Sequence, residues 1–112
     1  MKSIALFAAL LSITGSTMAT EPDAGLATIQ DLGRVNGQAL ACSQMAISGQ
    51  AKKLMIKHSP KTRRYGEVFE EATNAAYLEQ GKDQDNCPKP ADFSARITEI
   101  SGRLQAMLPA AQ

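Results

Sequence analysis

The chain has 112 residues, and its 12 basic and 11 acidic side chains give a formal net charge of +1. This balance argues against a nucleic-acid-binding protein, because such proteins are usually strongly basic. The length allows one modest domain, which buries a limited core and is often only marginally stable without a cross-link.

The N-terminal residues have the three parts of a signal peptide. Lys2 supplies the positive charge, residues 4–13 are apolar, and Thr17 and Ala19 place small residues at the −3 and −1 positions of a cleavage site. The apolar run is too short to cross a bilayer core of roughly 30 Å, and no later stretch is apolar enough to span a membrane. We therefore expect cleavage after residues 1–19. Residues 20–112 would then form a single helical domain, periplasmic or secreted from a Gram-negative bacterium.

The only cysteines, Cys42 and Cys87, predict one disulfide. Export would deliver both to an oxidising compartment, and the absence of a C-x-x-C motif favours a structural bond over a redox site. Such a bond closes a loop of about 45 residues and contributes on the order of 4 kcal/mol in the chain-entropy model. The pattern around Cys42 predicts that the bond ties the middle of the first helix to the start of the last.

Hydrophobic periodicity predicts helices throughout the mature chain. After a short disordered lead-in at residues 20–24, a helix is expected from Gly25, with a break at Gly49 and a second helix over about residues 50–58. Ser59 and Pro60 predict the start of the next helix, which ends at Gly81. A last helix is expected from about residues 90–92 until Pro109. The predicted fold class is all-α, a small antiparallel bundle of three to four helices with one disulfide.

Gly33, Gly37 and Ala41 form a stripe of small residues along one face of the first helix. A glycine inside a helix costs about 1 kcal/mol relative to alanine, so we expect another helix to approach closely there. Asn36 lies near this stripe and allows two interpretations. It is either a buried amide paired with a neighbouring helix, as most buried amides are, or part of a ligand-binding groove around Gly33, Asn36 and Gly37.

The sequence offers little for catalysis, and we predict no enzyme, no cofactor and no metal site. His58 is the only histidine, and no nucleophile-elbow pattern surrounds a serine. Met55 lies about one turn before His58, and a thioether with an imidazole suits copper. A copper or small-molecule carrier is therefore kept as an alternative.

Basic side chains are concentrated at residues 52–64, and acidic ones follow. One interpretation is a solvated helix corner, since cations are favoured near a helix C-terminus. The other is a docking surface for an anionic partner, either an acidic protein, a lipid headgroup or an envelope polymer. The residues proposed for docking, here called the corner cluster, are Lys57, His58, Lys61, Arg63 and Arg64.

These features predict a non-enzymatic binding protein of the cell envelope that acts as an accessory, adaptor, inhibitor or immunity-type factor. Its expected partner is an envelope protein or an anionic envelope component, and a homodimer is kept as a second mode of association.

The export signal, the short helical mature chain and the single wide disulfide together resemble small periplasmic acid-stress chaperones in size and architecture. That resemblance implies an alternative, a chaperone that loosens at low pH. Protonation of the acidic residues after the corner cluster would leave a positive, self-repelling chain; these residues are Glu67, Glu70, Glu71, Glu79, Asp83 and Asp85.

Export and cleavage should give a mature N-terminus at Thr20, because Thr17 and Ala19 satisfy the small-residue rule for signal peptidase. Intact-mass spectrometry of the protein purified from the periplasm measures this directly. Recovery of residues 1–19 still attached, in a membrane fraction, would contradict the prediction.

Overall fold

The computed structural model describes residues 20–110, which form four α-helices, one short 3₁₀ turn and no strand. The helices are α1 (Thr20–Ala41), α2 (Met45–His58), α3 (Arg63–Gly81) and α4 (Pro90–Met107), and the 3₁₀ turn Gln84–Asn86 lies between α3 and α4. The predicted all-α bundle with one disulfide is confirmed. The predicted signal peptide, residues 1–19, lies outside the described residues, as do residues 111–112.

The first helix differs from the prediction at its start. Helix α1 begins at Thr20, so the disordered lead-in expected at residues 20–24 is wrong for the described backbone. Pro22 is compatible with this helix because a proline in the first turn removes an N–H group that has no partner inside the helix.

The break between the first two helices lies at Ser43 and not at Gly49. Ser43 has a positive φ of 60°. Its N–H group donates to the Leu40 carbonyl at 3.3 Å, and the Gln44 N–H group donates to the Ala39 carbonyl at 2.8 Å. These two bonds form a Schellman motif, which ends a helix at a left-handed residue. Gly49 lies inside α2 and faces open space. A single glycine lowers the stability of a helix by only about 1 kcal/mol, and α2 continues through it.

The corner between α2 and α3 also differs from the prediction. Ser59 ends α2, because its N–H group donates to the Met55 carbonyl at 2.9 Å and its backbone is extended. The N-cap of α3 is Thr62, whose hydroxyl accepts from the Tyr65 N–H group at 3.4 Å. Ser59 therefore caps the helix before the proline and not the helix after it.

Helix α1 is central, since it packs against α2, α3 and α4, whereas α3 has no comparable contact with α2 or α4. The core contains apolar side chains that are almost fully buried, and each isoleucine, leucine, valine or phenylalanine among them stabilises the fold by about 1.5–3 kcal/mol. These are Ile29, Leu32, Val35 and Ala39 from α1, Ile47 and Ala51 from α2, and Phe93, Ile97, Ile100 and Leu104 from α4. Tyr77 on α3 is 48% exposed.

The glycines of α1 allow α3 to approach backbone to backbone, as predicted. A Cβ atom at Gly33 would lie 2.6 Å from the Phe69 carbonyl oxygen, and one at Gly37 would overlap the Thr73 carbonyl oxygen. Real Cβ atoms do not come this close to backbone atoms, so only glycine fits at these two positions.

Cys42 and Cys87 form the predicted disulfide, with their Cα atoms 5.9 Å apart. Cys42 directly follows the last residue of α1, so the bond ties the end of α1, and not its middle, to the segment before α4. A hydrogen bond supports the same junction, because the Gln84 side-chain amide donates to the Ala41 carbonyl at 3.2 Å.

Substitution of Gly37 by alanine should destabilise the protein by about 1–3 kcal/mol, because the added methyl group overpacks the α1–α3 contact. Gly49→Ala is the matched control, and it should stabilise α2 by up to about 1 kcal/mol because nothing lies near its Cβ position. Chemical denaturation followed by circular dichroism measures both. Equal effects at the two positions would contradict the close packing.

The double substitution of Cys42 and Cys87 by serine should lower the free energy of unfolding by on the order of 4 kcal/mol, because it removes the constraint on the unfolded chain. Thermal melts with and without reductant measure the loss, and reductant should have no effect on the double variant. Two freely alkylated thiols in the native, unreduced protein would contradict a structural disulfide.

Candidate functional site

The corner between α2 and α3 carries exposed cations. Lys57, Lys61, Arg63 and Arg64 are all exposed, and none of them forms an ion pair with a side chain of residues 24–110. Arg63 and Arg64 occupy the first turn of α3. The positive end of the helix dipole lies there, so two cations at this place disfavour the helix slightly.

His58, a predicted docking residue, is 4% exposed. Its Nδ1 atom lies 2.7 Å from the Leu108 carbonyl oxygen, and a carbonyl only accepts, so Nδ1 is the donor in this hydrogen bond. The ring therefore presents almost no surface to a partner. It links the end of α2 to the segment that follows α4.

Lys61 has a structural contact of its own. Its Nζ atom donates to the Ile56 carbonyl at 2.6 Å and to the Ser59 carbonyl at 3.2 Å. The last carbonyls of a helix have no partner inside the helix, and a cation there is favoured by the dipole. Lys61 thus fixes the shape of the corner, while Lys57 forms no ion pair with a side chain of residues 24–110.

A groove of about 630 Å³ opens between the corner and the end of the described chain. We call it the corner groove; its walls are Ile56, Lys57, His58, Ser59, Pro60 and Lys61 on one side and Met107, Leu108, Pro109 and Ala110 on the other. Ile56 is 70% exposed and Met107 is 43% exposed. The groove therefore combines uncovered apolar side chains with two lysines.

The remaining cations of the region point toward different boundaries between helices. Arg64 lines a depression between α1 and α3 beside Glu71. Lys53 lines another between α2 and α4, and Lys52 lines a third beside Glu70. The basic residues that are neighbours in sequence are thus spread around the molecule and do not form one flat patch.

Asn36 is a buried amide with partners on two other helices, which confirms the first of the two interpretations. The Ser48 hydroxyl on α2 donates to Asn36 Oδ1 at 2.7 Å, and Asn36 Nδ2 donates to the Thr73 hydroxyl on α3 at 3.2 Å. A depression of about 350 Å³ lies over this network. Because the amide is already paired on both sides, it cross-links three helices and offers no ligand-binding group.

A charged seam joins α1 to α4, and the sequence analysis did not identify it. Asp31 pairs with Arg103 and with Arg34, each at 2.9 Å, and Arg103 also pairs with Glu99 at 2.9 Å. The Asp31–Arg34 and Glu99–Arg103 pairs have the three- and four-residue spacings by which ion pairs within a helix can be predicted from sequence. The Asp31–Arg103 pair joins two helices and has no such spacing.

Arg96 extends this seam by donating to Gln38 Oε1 at 2.6 Å. Burial, with a smaller effect from nearby Arg34, lowers the pKa of Arg96.

The two side chains considered for copper both take part in packing. Met55 packs against the hydrophobic core, and His58 bonds to Leu108. Within residues 20–110, no group of three or more histidine, cysteine or carboxylate side chains is arranged to hold a metal ion.

None of the helices in the described range combines the length and the apolar character needed to cross a membrane. No protein-family model, curated protein or solved structure matches this chain. The corner groove, which unites exposed apolar and cationic side chains, is therefore the feature from which a function can be inferred.

Proposed function

We propose that this chain is a non-enzymatic protein of the bacterial envelope that binds an acidic segment of a partner protein in the corner groove. In this role it acts as an accessory, adaptor, inhibitor or immunity-type factor. The observation that carries the proposal is the exposure of Ile56 and Met107 in the same groove as Lys57 and Lys61.

The charges of the corner support an anionic partner. Lys57, Arg63 and Arg64 are exposed and have no ion pair among the side chains of residues 24–110. Arg63 and Arg64 also stand at the unfavourable end of a helix dipole, so helix stability does not account for them. Unpaired surface cations attract acidic surfaces and raise the rate of association.

The shape of the corner supports a protein segment over a membrane surface. A membrane-binding face places its apolar residues and its cations along one plane. Here Lys57 and Lys61 line the corner groove, whereas Arg64, Lys53 and Lys52 line separate depressions. A concave site with two walls suits a segment of chain that enters it.

Export to the periplasm is part of the proposal and rests on the signal-peptide pattern of residues 1–19. The disulfide between Cys42 and Cys87 is compatible with an oxidising compartment.

The test uses a photo-crosslinking amino acid at Pro109, an exposed and uncharged wall of the corner groove, in the full chain, expressed in bacteria, with mass spectrometry of the adduct. We expect an acidic segment of an envelope protein. The double charge reversal Arg63→Glu with Arg64→Glu should reduce the adduct about tenfold, because these exposed cations, which follow Lys61 of the groove in sequence, no longer steer an acidic segment toward it. Higher salt should reduce it as well, since exposed charges are screened beyond about 8 Å at physiological ionic strength.

The matched control is Lys82→Glu with Lys89→Glu, which changes the net charge equally at exposed positions outside the corner. It should leave the adduct unchanged, and thermal melts should show that both double variants fold. An adduct to phospholipid or lipopolysaccharide, or equal adducts with both double variants, would contradict the proposal.

A further inference from the structure

We infer that the corner groove recognises an acidic segment that carries one bulky apolar side chain, seated between Ile56 and Met107, with carboxylates next to it. This inference rests on the proposed function and specifies the class of partner. Binding of an acidic segment by charge alone requires cations on the surface. It does not require an exposed isoleucine and an exposed methionine in the same cavity.

The walls of the groove are held in place before any partner arrives. His58 bonds to the Leu108 carbonyl at 2.7 Å, and the Leu108 N–H group donates to the Leu104 carbonyl at 2.7 Å. A groove with fixed walls loses little freedom on binding, which favours specific recognition.

The side chains that line the groove offer a partner both apolar contacts and a positive charge. Ile56 and Met107 are uncovered and present apolar surface to a partner. Pro60 and Pro109 contribute no N–H groups to the walls. The Lys61 ammonium is engaged by backbone carbonyls, so Lys57 supplies the free cation for a carboxylate of the partner.

The size of the groove fits one anchored side chain with the backbone around it. Its volume of about 630 Å³ falls within the range of roughly 300–1,000 Å³ that is typical of ligand pockets. A single anchor buried in such a pocket, with charges at the rim, is the arrangement found at the centre of many protein interfaces.

A second copy of this chain is a weaker candidate for the occupant. Leu78 on α3 is 64% exposed and has Glu79 beside it, but Lys82 follows one turn later and would face the lysines of the groove. Contact between two different surfaces of identical chains also propagates into open-ended assemblies unless it closes a ring. The observations therefore favour a foreign segment.

The probes are two synthetic acidic peptides that differ only in a central phenylalanine or alanine, with binding measured by fluorescence anisotropy at low and physiological salt. We expect the phenylalanine peptide to bind at least about tenfold tighter, because its ring is buried in the groove. Ile56→Ser and Met107→Ser should each remove most of this preference. Lys57→Gln should weaken both peptides to a similar extent.

Leu78→Ser is the matched control, since it removes a similarly exposed apolar side chain outside the groove, and it should keep the full preference. Circular dichroism verifies that each variant folds; two independent substitutions in the groove keep the test decisive if one of them does not. The full chain is used throughout, and its oligomeric state is measured by analytical ultracentrifugation.

Equal binding of the two peptides, weakened by Lys57→Gln, would overturn the anchor but leave the proposed function standing. If the chain self-associates and Leu78→Ser abolishes that self-association, the occupant of the groove is a second copy of the chain, and the inference of a foreign segment is wrong. Binding to phosphatidylglycerol vesicles through Ile56, with no binding of either peptide, would overturn both the anchor and the proposed function.

Discussion

The close contact between the backbones of α1 and α3 is the constraint on which the rest of the arrangement depends. Helix α1 packs against the other three helices, and its faces differ in amino-acid composition. Gly33 and Gly37 face α3, whereas branched apolar side chains face α2 and α4. Because α3 has no comparable contact with α2 or α4, these two glycines determine where α3 lies and therefore where Arg63 and Arg64 stand.

Buried polar groups determine the register of the helices once that contact is made. Asn36 donates to Thr73 on α3 and accepts from Ser48 on α2. Each paired group adds little net stability, but an unpaired one would cost about 1–3 kcal/mol. Slippage of a helix along α1 would leave such groups unpaired, so these contacts select one arrangement of the bundle.

The sequence predicted what depends on periodicity and local chemistry, but not what depends on distant partners. The apolar stripe of α4 and the Gly33–Gly37 approach followed from spacing along one helix. The turn at Ser43 was missed, because a left-handed residue with a side chain leaves no signal of the kind that glycine gives. The burial of His58 was missed because its partner is Leu108, 50 residues away. Lys57 and Lys61 line the corner groove, whereas Arg64, only three residues further on, lines the depression between α1 and α3.

The position of the disulfide explains how the corner groove relates to the stability of the fold. Helix α2 separates Cys42 from the corner by its 14 residues, about 21 Å at the rise of an α-helix. The covalent bond therefore holds one end of the bundle, while the other end is held by hydrogen bonds of His58 and Lys61 and by packing of Leu108 against the core. Because the disulfide lowers the entropy of the unfolded chain, it stabilises the fold without filling the corner. The exposed apolar side chains at that end are thus left open to a partner.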